Sequence, residues 1–560
     1  MSGATLSPQD APGPGAGPPD GSGEAPGQAP GEAPGEAPGA GGSQGAAPPT
    51  TARRERLRTT PGRDLPVWLC VLASVGVLAA ALVLVFSRTM DRYLDHDEHQ
   101  FVATAALWAR EGLLPYVDFP HFHMPYFVFV YGLLGEWTGK LLLSARLVSV
   151  AGAWGTMLLL HATVLRASRG LLPAWRHGLA CGAVLLLLFN PLYVYTSGLA
   201  WNHDLAVMLA LAAFLVHLPG SGRAWLAGML LGLAIGVRLS VAPLAASFLI
   251  VQQLREERGH RARMAVTFLS GLAVALLPCA VLLVLAPRAM LFGNLEYPAL
   301  NTAYRVQEGF DRAMDLPAKL DYMAVDVFGE PANLTLFCVF LLGLSGLNLT
   351  RRSGVLRRVL WFLPFLLLGA LAPTPAWYQY FYALVPFLIL GGLCGLGALP
   401  QDSRRLYVGL GAVAVTVVIS IWQTLPDYRT LSNLTDPSSW TPLQVHAEGR
   451  RVAEAAGDGL VLTLSPLYPL EGGARIDPAF GSGPFGYRSA PFLTPEERAE
   501  HGLVGPDELQ AHLAASPPAA VLTGYEPRDD AGLDAWAADH GYVEQPVGER
   551  LRLHLPPGPR

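Results

Sequence analysis

The sequence predicts an all-α polytopic membrane protein that carries a small α/β domain at its carboxyl end. Hydrophobic residues make up 51% of the 560 positions and charged residues only 15%, a balance typical of chains with many membrane spans. After residue 424 the long apolar runs stop, and short β-like runs at 461–464 and 521–523 alternate with helix-like segments. The small net charge of −5, with basic residues dispersed in short loops, argues against a nucleic-acid partner.

The first 52 residues differ in composition from the rest of the chain. Repeats of Gly, Ala, Pro and Glu such as GEAPGEAPG contain hardly any large apolar side chain, so this segment cannot bury enough surface to offset chain entropy. We therefore expect residues 1–52 to form a disordered cytoplasmic tail. A cleaved signal peptide is the alternative, but the segment lacks an apolar core, and the first apolar run, 66–87, has the length of a span.

About eleven apolar runs come close to the ~20 residues that a helix needs to cross a bilayer. These runs are 66–87, 142–165, 178–199, 203–218, 223–237, 239–253, 264–286, 332–349, 358–374, 377–398 and 405–424. Together they define a predicted transmembrane domain over residues 66–424.

Basic loops predict the orientation, because Lys and Arg accumulate on the cytoplasmic side of membranes. The basic loops are at 53–58, 167–177, 252–263, 350–358 and 401–405. They can all lie inside only if the short apolar stretch 124–135 lies along the interface. The amino terminus then lies on the cytoplasmic side of the cytoplasmic (inner) membrane, and the loops 88–141 and 287–331 lie on its outer side. Residues 430–560 would form an extracytoplasmic α/β domain.

Ionisable side chains are concentrated in the acidic segment YLDHDEHQF, residues 93–101, directly after the first predicted span. A charge beside lipid is costly unless it faces water, a partner or a ligand, so Asp95, Asp97 and Glu98 indicate a functional site. The alternative is a solvated loop start. Another acid, Asp204 in AWNHDL, emerges on the same predicted face.

These motifs resemble a known superfamily. The stretch DHDEHQFVATAALWAREGLLPYVDFPHFHMPYFVFVYGLLG is similar to the amino-terminal signature of the GT-C glycosyltransferases of the protein O-mannosyltransferase and aminoarabinose-transferase type, glycosyltransferase family 39-like. GLAWNHDLAVMLALAAFLV resembles the second acidic turn of that superfamily, and PAWYQYFYALVPFLIL resembles its late RY...P stretch. The likeness covers roughly residues 66–400, and Gln379 with Tyr380 stands where relatives have Arg-Tyr.

The resemblance implies an inverting membrane glycosyltransferase. Such an enzyme moves a sugar from a polyprenyl-phosphate donor to a hydroxyl of a lipid, glycan or protein acceptor, with a carboxylate as the general base. By the match to an Asp-Glu pair, Asp97 is the candidate base beside Glu98, and Asp204 orients or polarises the acceptor. The alternatives are that Asp97 pairs structurally with Arg92 or Arg110 and that Asp204 caps a helix.

Further candidates for substrate binding lie on the predicted outer face, most of them at span ends and Arg305 in the outer segment 287–331, where the alternative is a solvated loop cation. They are Asp95, Asn202, His203, Arg238, Arg305, Tyr378, Gln379 and Tyr380. Arg238 stands between two apolar runs, where it could bind the departing phosphate or snorkel to the interface. The tyrosines could stack on sugar or polyprenyl, or form an interfacial aromatic belt.

The motifs identify no certain cofactor, and a divalent metal cation stays open. His121 and His123, spaced i, i+2, could help to bind a divalent metal cation, but no third ligand is defined for them. Two other classes of protein stay open as alternatives, a polytopic transporter and a ligand-binding membrane receptor. A transporter would favour internal repeats and mid-span ionisable residues, whereas these acids cluster at span ends, and a receptor would leave the acidic segment unexplained.

Overall fold

The computed structural model describes residues 65–557, with the exception of 219–222, 256–257, 311, 313 and 348–353. The predicted disordered tail, residues 1–52, lies outside the described residues. The described part of the chain is mostly helical and contains one five-stranded sheet near its carboxyl end. The predicted combination of a helical membrane protein with a small carboxyl-terminal sheet is thereby confirmed.

Among the residues that the structure describes, eighteen α-helices precede the sheet region. They are α1 (Val67–Asp91), α2 (His96–Glu111), α3 (Tyr126–Thr138), α4 (Leu141–Ala167), α5 (Pro173–Leu188), α6 (Pro191–Thr196), α7 (His203–His217), α8 (Ala224–Val237), α9 (Leu244–Arg255), α10 (Arg258–Ala275), α11 (Leu277–Leu285), α12 (Pro287–Leu291), α13 (Tyr297–Gln307), α14 (Leu316–Tyr322), α15 (Pro331–Leu344), α16 (Gly354–Leu371), α17 (Leu384–Gly397) and α18 (Arg404–Thr424). Short 3₁₀ or π segments extend some of them, at Leu239–Val241, Phe292–Glu296, Met323–Val327, Tyr378–Ala383 and Leu425–Thr435.

The sheet region alternates helices and strands. Its helices are α19 (Thr441–Ala456), α20 (Leu467–Gly472), α21 (Pro484–Ser489), α22 (Pro495–His501), α23 (Leu509–Ala515) and α24 (Ala531–Asp539). Its strands are β1 (Leu460–Thr463), β2 (Arg475–Ile476), β3 (Ala520–Thr523), β4 (Val543–Val547) and β5 (Leu551–Leu555).

Five helical segments are long and apolar enough to cross a membrane. They are Val67–Asp91, Leu141–Ala167, Gly354–Leu371, Tyr378–Gly397 and Arg404–Thr435. Two bent pairs, His260–Ala275 with Leu277–Leu285 and Leu316–Val327 with Pro331–Leu344, raise the number to seven if each pair is one span. Over the described residues, this supports a multi-pass membrane protein, whereas the predicted number of about eleven spans is not confirmed.

Several predicted spans are shorter in the structure, because hydropathy alone does not show where a helix breaks. The predicted run 178–199 is divided at Pro191, where α5 has ended at Leu188 and α6 begins. Pro191 has no N–H to donate, and the preceding Asn190 is extended, with φ −71° and ψ 131°. The Asn190 side chain then accepts a hydrogen bond from the Tyr193 N–H and caps the new helix.

The sheet has the strand order β2-β1-β3-β5-β4. β2, β1 and β3 run parallel, and β5 and β4 continue the sheet antiparallel. β1 and β3 lie within one residue of the β-like runs predicted from the sequence. Apolar positions face each other across the sheet, as Leu522 of β3 does with Leu553 of β5, so the strands share one hydrophobic layer.

The sheet region packs directly against the helices that precede it. The Arg110 side chain at the end of α2 donates to the carbonyl oxygen of Leu470. The Leu142 N–H at the start of α4 donates to Glu471 Oε2 at 2.9 Å. Buried apolar side chains of both regions form one continuous cluster. These contacts place the carboxyl part of the chain beside the acidic segment.

A buried ion pair joins the helices around the acidic segment. Arg146 of α4 and Glu98 of α2 are both fully buried, and the guanidinium meets the carboxylate through Nε at 2.9 Å and Nη2 at 2.7 Å. The other Arg146 N–H groups donate to the carbonyl oxygens of Thr89, Arg92 and Tyr93. All five guanidinium donors are therefore paired, and α1, α2 and α4 meet at one residue.

The Glu98 carboxylate is paired as completely as its partner. Oε1 accepts from the Ala200 N–H at 2.7 Å, and Oε2 accepts from the Asp95 N–H at 3.0 Å. A buried pair that is satisfied on both sides can be retained in a protein interior, whereas removal of one partner leaves an uncompensated charge.

We expect Glu98→Gln to destabilise the protein by about 3–5 kcal/mol, because the neutral amide leaves the buried guanidinium of Arg146 without a counter-charge. The change is measured as a lower apparent melting temperature of the purified protein in detergent. Glu454→Gln is the matched control, since Glu454 forms an exposed pair with Arg450 on α19 at 3.4 Å. Equal melting temperatures for the two variants would contradict the stabilising role of the buried pair.

Candidate functional site

The acidic segment builds the start of α2. Asp95 is the N-cap, and its Oδ1 accepts from the Asp97 N–H at 2.9 Å while the Glu98 side chain returns to the Asp95 N–H. This capping box fixes the first turn, and Gly112 ends the helix in the left-handed conformation with φ 71°. The side chains of Asp95 and Glu98 thus bond to the backbone at the start of the helix, whereas the Asp97 side chain takes no part in the cap.

Asp97 is the least committed of the three acids. Its Oδ1 accepts one hydrogen bond, from Gln100 Nε2 at 3.1 Å, and lies 3.6 Å from His96 Nε2. A quarter of its side chain is exposed (25%). The Asp97 carboxylate therefore has oxygen lone pairs free for a substrate hydroxyl.

Three guanidinium groups from distant parts of the sequence lie within electrostatic range of Asp97. Burial raises the pKa of Asp97 above the ordinary value of an aspartate, while Arg488, Arg305 and Arg238, in that order of strength, act to lower it. We call these three residues the arginine trio. In the described part of the chain, no member of the trio forms an ion pair with a carboxylate.

Arg238 follows α8 and is held by the second acidic turn. Its Nη1 donates to Asn202 Oδ1 at 2.5 Å, and its Nε donates to Ser240 Oγ at 2.9 Å. The guanidinium carbon lies 5.0 Å from the centre of the Tyr380 ring, within the range of a cation–π contact. The structure thus brings together the predicted residues Arg238, Asn202 and Tyr380.

Arg305 and Arg488 approach from the outer segment and the sheet region. The Arg305 guanidinium, on α13, lies 5.5 Å from the Trp377 ring, and that of Arg488, on α21, lies 4.4 Å from the Phe485 ring. Arg488 Nη2 also donates to Asn301 Oδ1 at 3.2 Å. The Nε atoms of both arginines are buried and have no hydrogen-bond partner among the described residues. Aromatic rings therefore hold the two guanidinium groups, and the Nε–H donor of each has no partner in the described part of the chain.

Arg488 was not among the residues predicted from the sequence. It lies in GYRS, a segment with no recognisable motif, in the region after residue 424 where many charged side chains are solvated. The one available signal is its setting, because FGYRSAPF places a single cation among aromatic and apolar neighbours. Only the packing of α21 against α13 brings it to Asp97.

Asp204 is held by hydrogen bonds to its neighbours within the protein. It is buried, its Oδ2 accepts from the Gly198 N–H at 3.1 Å, and its Oδ1 accepts from the Tyr382 hydroxyl at 3.2 Å. Asn202 is the N-cap residue of α7, although its side chain bonds to Arg238 rather than to the helix. Asp204 therefore fixes the turn that carries Asn202. The adjacent His203 is buried, and neither ring nitrogen has a partner among the described residues.

The predicted aromatic cluster divides into two groups. Tyr380 lies under Arg238 and belongs to the site. Tyr378 instead donates to Glu330, which also accepts from Asn333 Nδ2 at 3.1 Å. Gln379 is buried, and its Oε1 has no partner among the described residues. Tyr378 and Gln379 thus belong to the interior next to the site.

The side chains that could hold a metal ion differ from the predicted pair. Asp95, His96 and Asp97 offer three ligand atoms within 4.8 Å of one another, a mixed carboxylate and imidazole set that suits a divalent cation. Burial lowers the pKa of His96 to about 4, so its imidazole is neutral at neutral pH. Among the described residues, His121 and His123 belong to no three-ligand group.

One acid of the sheet region, Glu526, interacts electrostatically with Arg488. Burial raises the pKa of Glu526 to about 8, whereas Arg488 acts to lower it. Glu526 Oε1 is buried without a hydrogen-bond partner among the described residues. The neighbouring Tyr525 hydroxyl donates to the carbonyl oxygen of Leu94, which ties this loop to the acidic segment.

Comparison with solved structures identifies the fold. Two crystal structures of ArnT from Cupriavidus metallidurans, one bound to undecaprenyl phosphate and one in the apo state, match with TM-scores of 0.56 and 0.51. Each match has 14% sequence identity and covers 86% of this chain and 97% of the other. The chain has a GT-C fold. The prediction from the motifs of the acidic segment is thereby confirmed at the level of the GT-C fold.

The other comparisons gave weaker structural matches and no match of sequence. The apo form of the Archaeoglobus fulgidus oligosaccharyltransferase matches this chain with a TM-score of 0.47 and 13% identity, over 82% of this chain and 70% of the other. No protein-family model matches the sequence, and no curated protein matches it.

We expect Glu526→Gln to make the protein relatively more stable as the pH rises. The raised pKa, about 8 in the folded protein against an ordinary 4.5, means that this carboxyl group stabilises the fold fully below about pH 4.5. That contribution is lost as the pH rises through about 8, and an amide, which does not titrate, does not lose it.

The measurement is the apparent melting temperature of wild type and variant between about pH 6 and about pH 9. Glu496→Gln, at an exposed position of α22, is the control and should follow the wild type. A wild type and a Glu526→Gln variant with parallel melting curves across this range would refute the expectation.

Proposed function

We propose that this protein is a membrane glycosyltransferase that moves a sugar from a polyprenyl-phosphate donor to an acceptor hydroxyl with inversion. The observation that carries the proposal is the partly exposed Asp97 carboxylate at the start of α2, with the arginine trio, Arg238, Arg305 and Arg488, within its electrostatic range. A base for a hydroxyl and cations for a phosphate are the two requirements of this reaction.

The arginine trio supplies the charge for the donor phosphate. Guanidinium groups donate in a planar fork that matches phosphate oxygens, and in a site shielded from water they stabilise the charge that develops as the phosphate departs. The open, buried Nε donors of Arg305 and Arg488 are in the state expected of such a site before the donor binds. The undecaprenyl phosphate bound to the ArnT of similar fold supports a polyprenyl-phosphate donor.

Asp97 acts as the general base in a single displacement. The acceptor hydroxyl gives its proton to an Asp97 carboxylate oxygen while the hydroxyl oxygen forms a bond to the anomeric carbon of the sugar. The bond from that carbon to the phosphate oxygen breaks on the opposite face, and its electron pair leaves with the polyprenyl phosphate. One base and one displacement give inversion without a covalent intermediate.

The other predicted catalytic acids position this machinery. Glu98 is held by Arg146 and two backbone N–H groups, so its oxygens are not available to the acceptor. Asp204 holds the turn from which Asn202 binds Arg238. Asp95 caps the helix that presents Asp97. The acids thus separate into one that reacts and three that set its geometry.

We expect Asp97→Asn to lower transfer by ~10²-fold or more while donor binding survives, because an amide keeps the size of the side chain but cannot accept the proton. Transfer is measured in membranes with a panel of labelled polyprenyl-phosphate sugars, normalised to the amount of protein. Asp95→Asn is the matched control, since asparagine is an equally good N-cap. Full activity in Asp97→Asn would remove the main support for the proposed function.

We expect Arg488→Gln to weaken binding of undecaprenyl phosphate by at least about tenfold, the usual effect of a lost charge-assisted hydrogen bond. Binding is measured by titration of the purified protein in nanodiscs. Arg528→Gln is the control, because Arg528 lies on the same region but forms an exposed pair with Glu308 at 2.5 Å. Equal affinities for the wild type and Arg488→Gln would exclude a role for this residue at the donor phosphate.

A further inference from the structure

A cleft of about 680 Å³ lies between the end of α1 and the sheet region, next to the site described above. We call it the tyrosine cleft after Tyr93, Tyr468 and Tyr525, which line it. Its volume is in the range of small-molecule binding pockets. None of the residues in the arginine trio lines it, so the cleft is distinct from the donor site.

The tyrosines give the cleft aromatic walls. Tyr93 is half exposed (52%), and the rings of Tyr468 and Tyr525 lie 5.9 Å apart at 61°. The Tyr525 ring packs edge-on against His99 of α2 at 4.9 Å, so these walls rest on a buried, fixed layer. Aromatic rings of this kind accept the C–H faces of a sugar ring without a large entropic cost.

Polar groups of α19 form the facing wall. Gln444, Glu448 and Arg451 line the cleft at i, i+4 and i+7, which places them along one face of the helix. The turn between β4 and β5 adds Glu549 and Arg550. None of these four charged residues forms an ion pair in the described part of the chain, so their donors and acceptors are open to a ligand.

The charges of the cleft select the class of ligand. The two carboxylates of Glu448 and Glu549 balance the two guanidinium groups of Arg451 and Arg550, so the cleft has no net charge, unlike the arginine trio. A phosphate or carboxylate ligand would be repelled by the two glutamates while it binds the two arginines, and a lipid chain would have to desolvate all four charges. Vicinal hydroxyls, in contrast, can bond to carboxylate, amide and guanidinium groups at once.

We propose that the tyrosine cleft binds a neutral oligosaccharide and that the acceptor of this protein is therefore a glycan. The second part rests on the proposed function. Tyr93 and Leu94 line the cleft and directly precede Asp95, so a glycan seated there lies beside the acidic segment. The Tyr525 hydroxyl bond to the Leu94 carbonyl oxygen holds the two sites at a fixed separation.

The binding test uses the full chain in nanodiscs without any donor. The probes are an array of neutral gluco-, manno-, galacto- and arabino-oligosaccharides, with undecaprenyl phosphate as a separate ligand. We expect at least one oligosaccharide to bind, and Tyr93→Ala and Arg451→Ala each to weaken that binding by about tenfold or more. Arg450→Ala is the matched control, since Arg450 is the neighbour of Arg451 but pairs with Glu454 and does not line the cleft.

Several results would overturn the inference. It fails if no oligosaccharide on the array binds, or if binding is the same in Tyr93→Ala, Arg451→Ala and Arg450→Ala. Each variant must have the melting temperature of the wild type, so that a loss of binding does not reflect misfolding. Tyr93→Phe keeps the ring and should therefore retain binding if the sugar contacts the ring face. Loss of binding in Tyr93→Phe equal to that in Tyr93→Ala would count against stacking on the ring.

Transfer assays separate this inference from the proposed function. Glycan binding with no transfer from any polyprenyl-phosphate sugar would refute the glycosyltransferase proposal and leave the cleft as a glycan-binding site. Transfer to a lipid or a peptide, with no glycan product, would uphold the enzyme and overturn the glycan acceptor. Transfer to the same oligosaccharide that binds the cleft, weakened by Arg451→Ala, would support both.

Discussion

The buried pair of Arg146 and Glu98 is the interaction on which the site depends. It lies where α1, α2 and α4 meet, and it is satisfied by five guanidinium donors on one side and by two backbone N–H groups on the other. Such a pair is costly to bury and therefore tolerates little displacement. One of the N–H groups belongs to Asp95, so the same pair also fixes the cap of α2 and, through it, the direction of Asp97.

Charge is divided between two neighbouring regions of the protein. Near Asp97 the guanidinium groups of the arginine trio form no ion pair with a carboxylate among the described residues, so positive charge is in excess there. In the tyrosine cleft, carboxylates and guanidinium groups are equal in number and lie against aromatic rings. A charged donor and a neutral acceptor would each find a matching environment on either side of the acidic segment. The bond between Tyr525 and Leu94 links these two environments.

The resemblance to the GT-C superfamily could be recognised in the sequence because the motif that carries it consists of neighbouring residues. Each of its parts is a short continuous stretch: the acidic segment with the Ala-rich helix after it, and the aromatic stretch near Tyr380. The capping box of α2 is likewise formed by residues close together in the sequence. The breaks in the helices could not be predicted from hydropathy, because the apolar run continues through Pro191, where the helix is interrupted. The number of spans therefore could not be read from apolar runs alone.

The sequence by itself determined the membrane class, the small sheet near the carboxyl end and the acidic segment, and its resemblance to a known superfamily proposed Asp97 from an Asp-Glu pair. Only the tertiary structure decided which partners each acid has, because Glu98 is bound by Arg146 of α4, Asp204 by the Gly198 N–H, and Asp97 by the neighbouring Gln100. The same holds for Arg488, which lies about 390 residues after Asp97 and reaches it through the packing of α21. Local patterns specify helices and caps, whereas the charge around a side chain is a sum over neighbours that the linear sequence does not order.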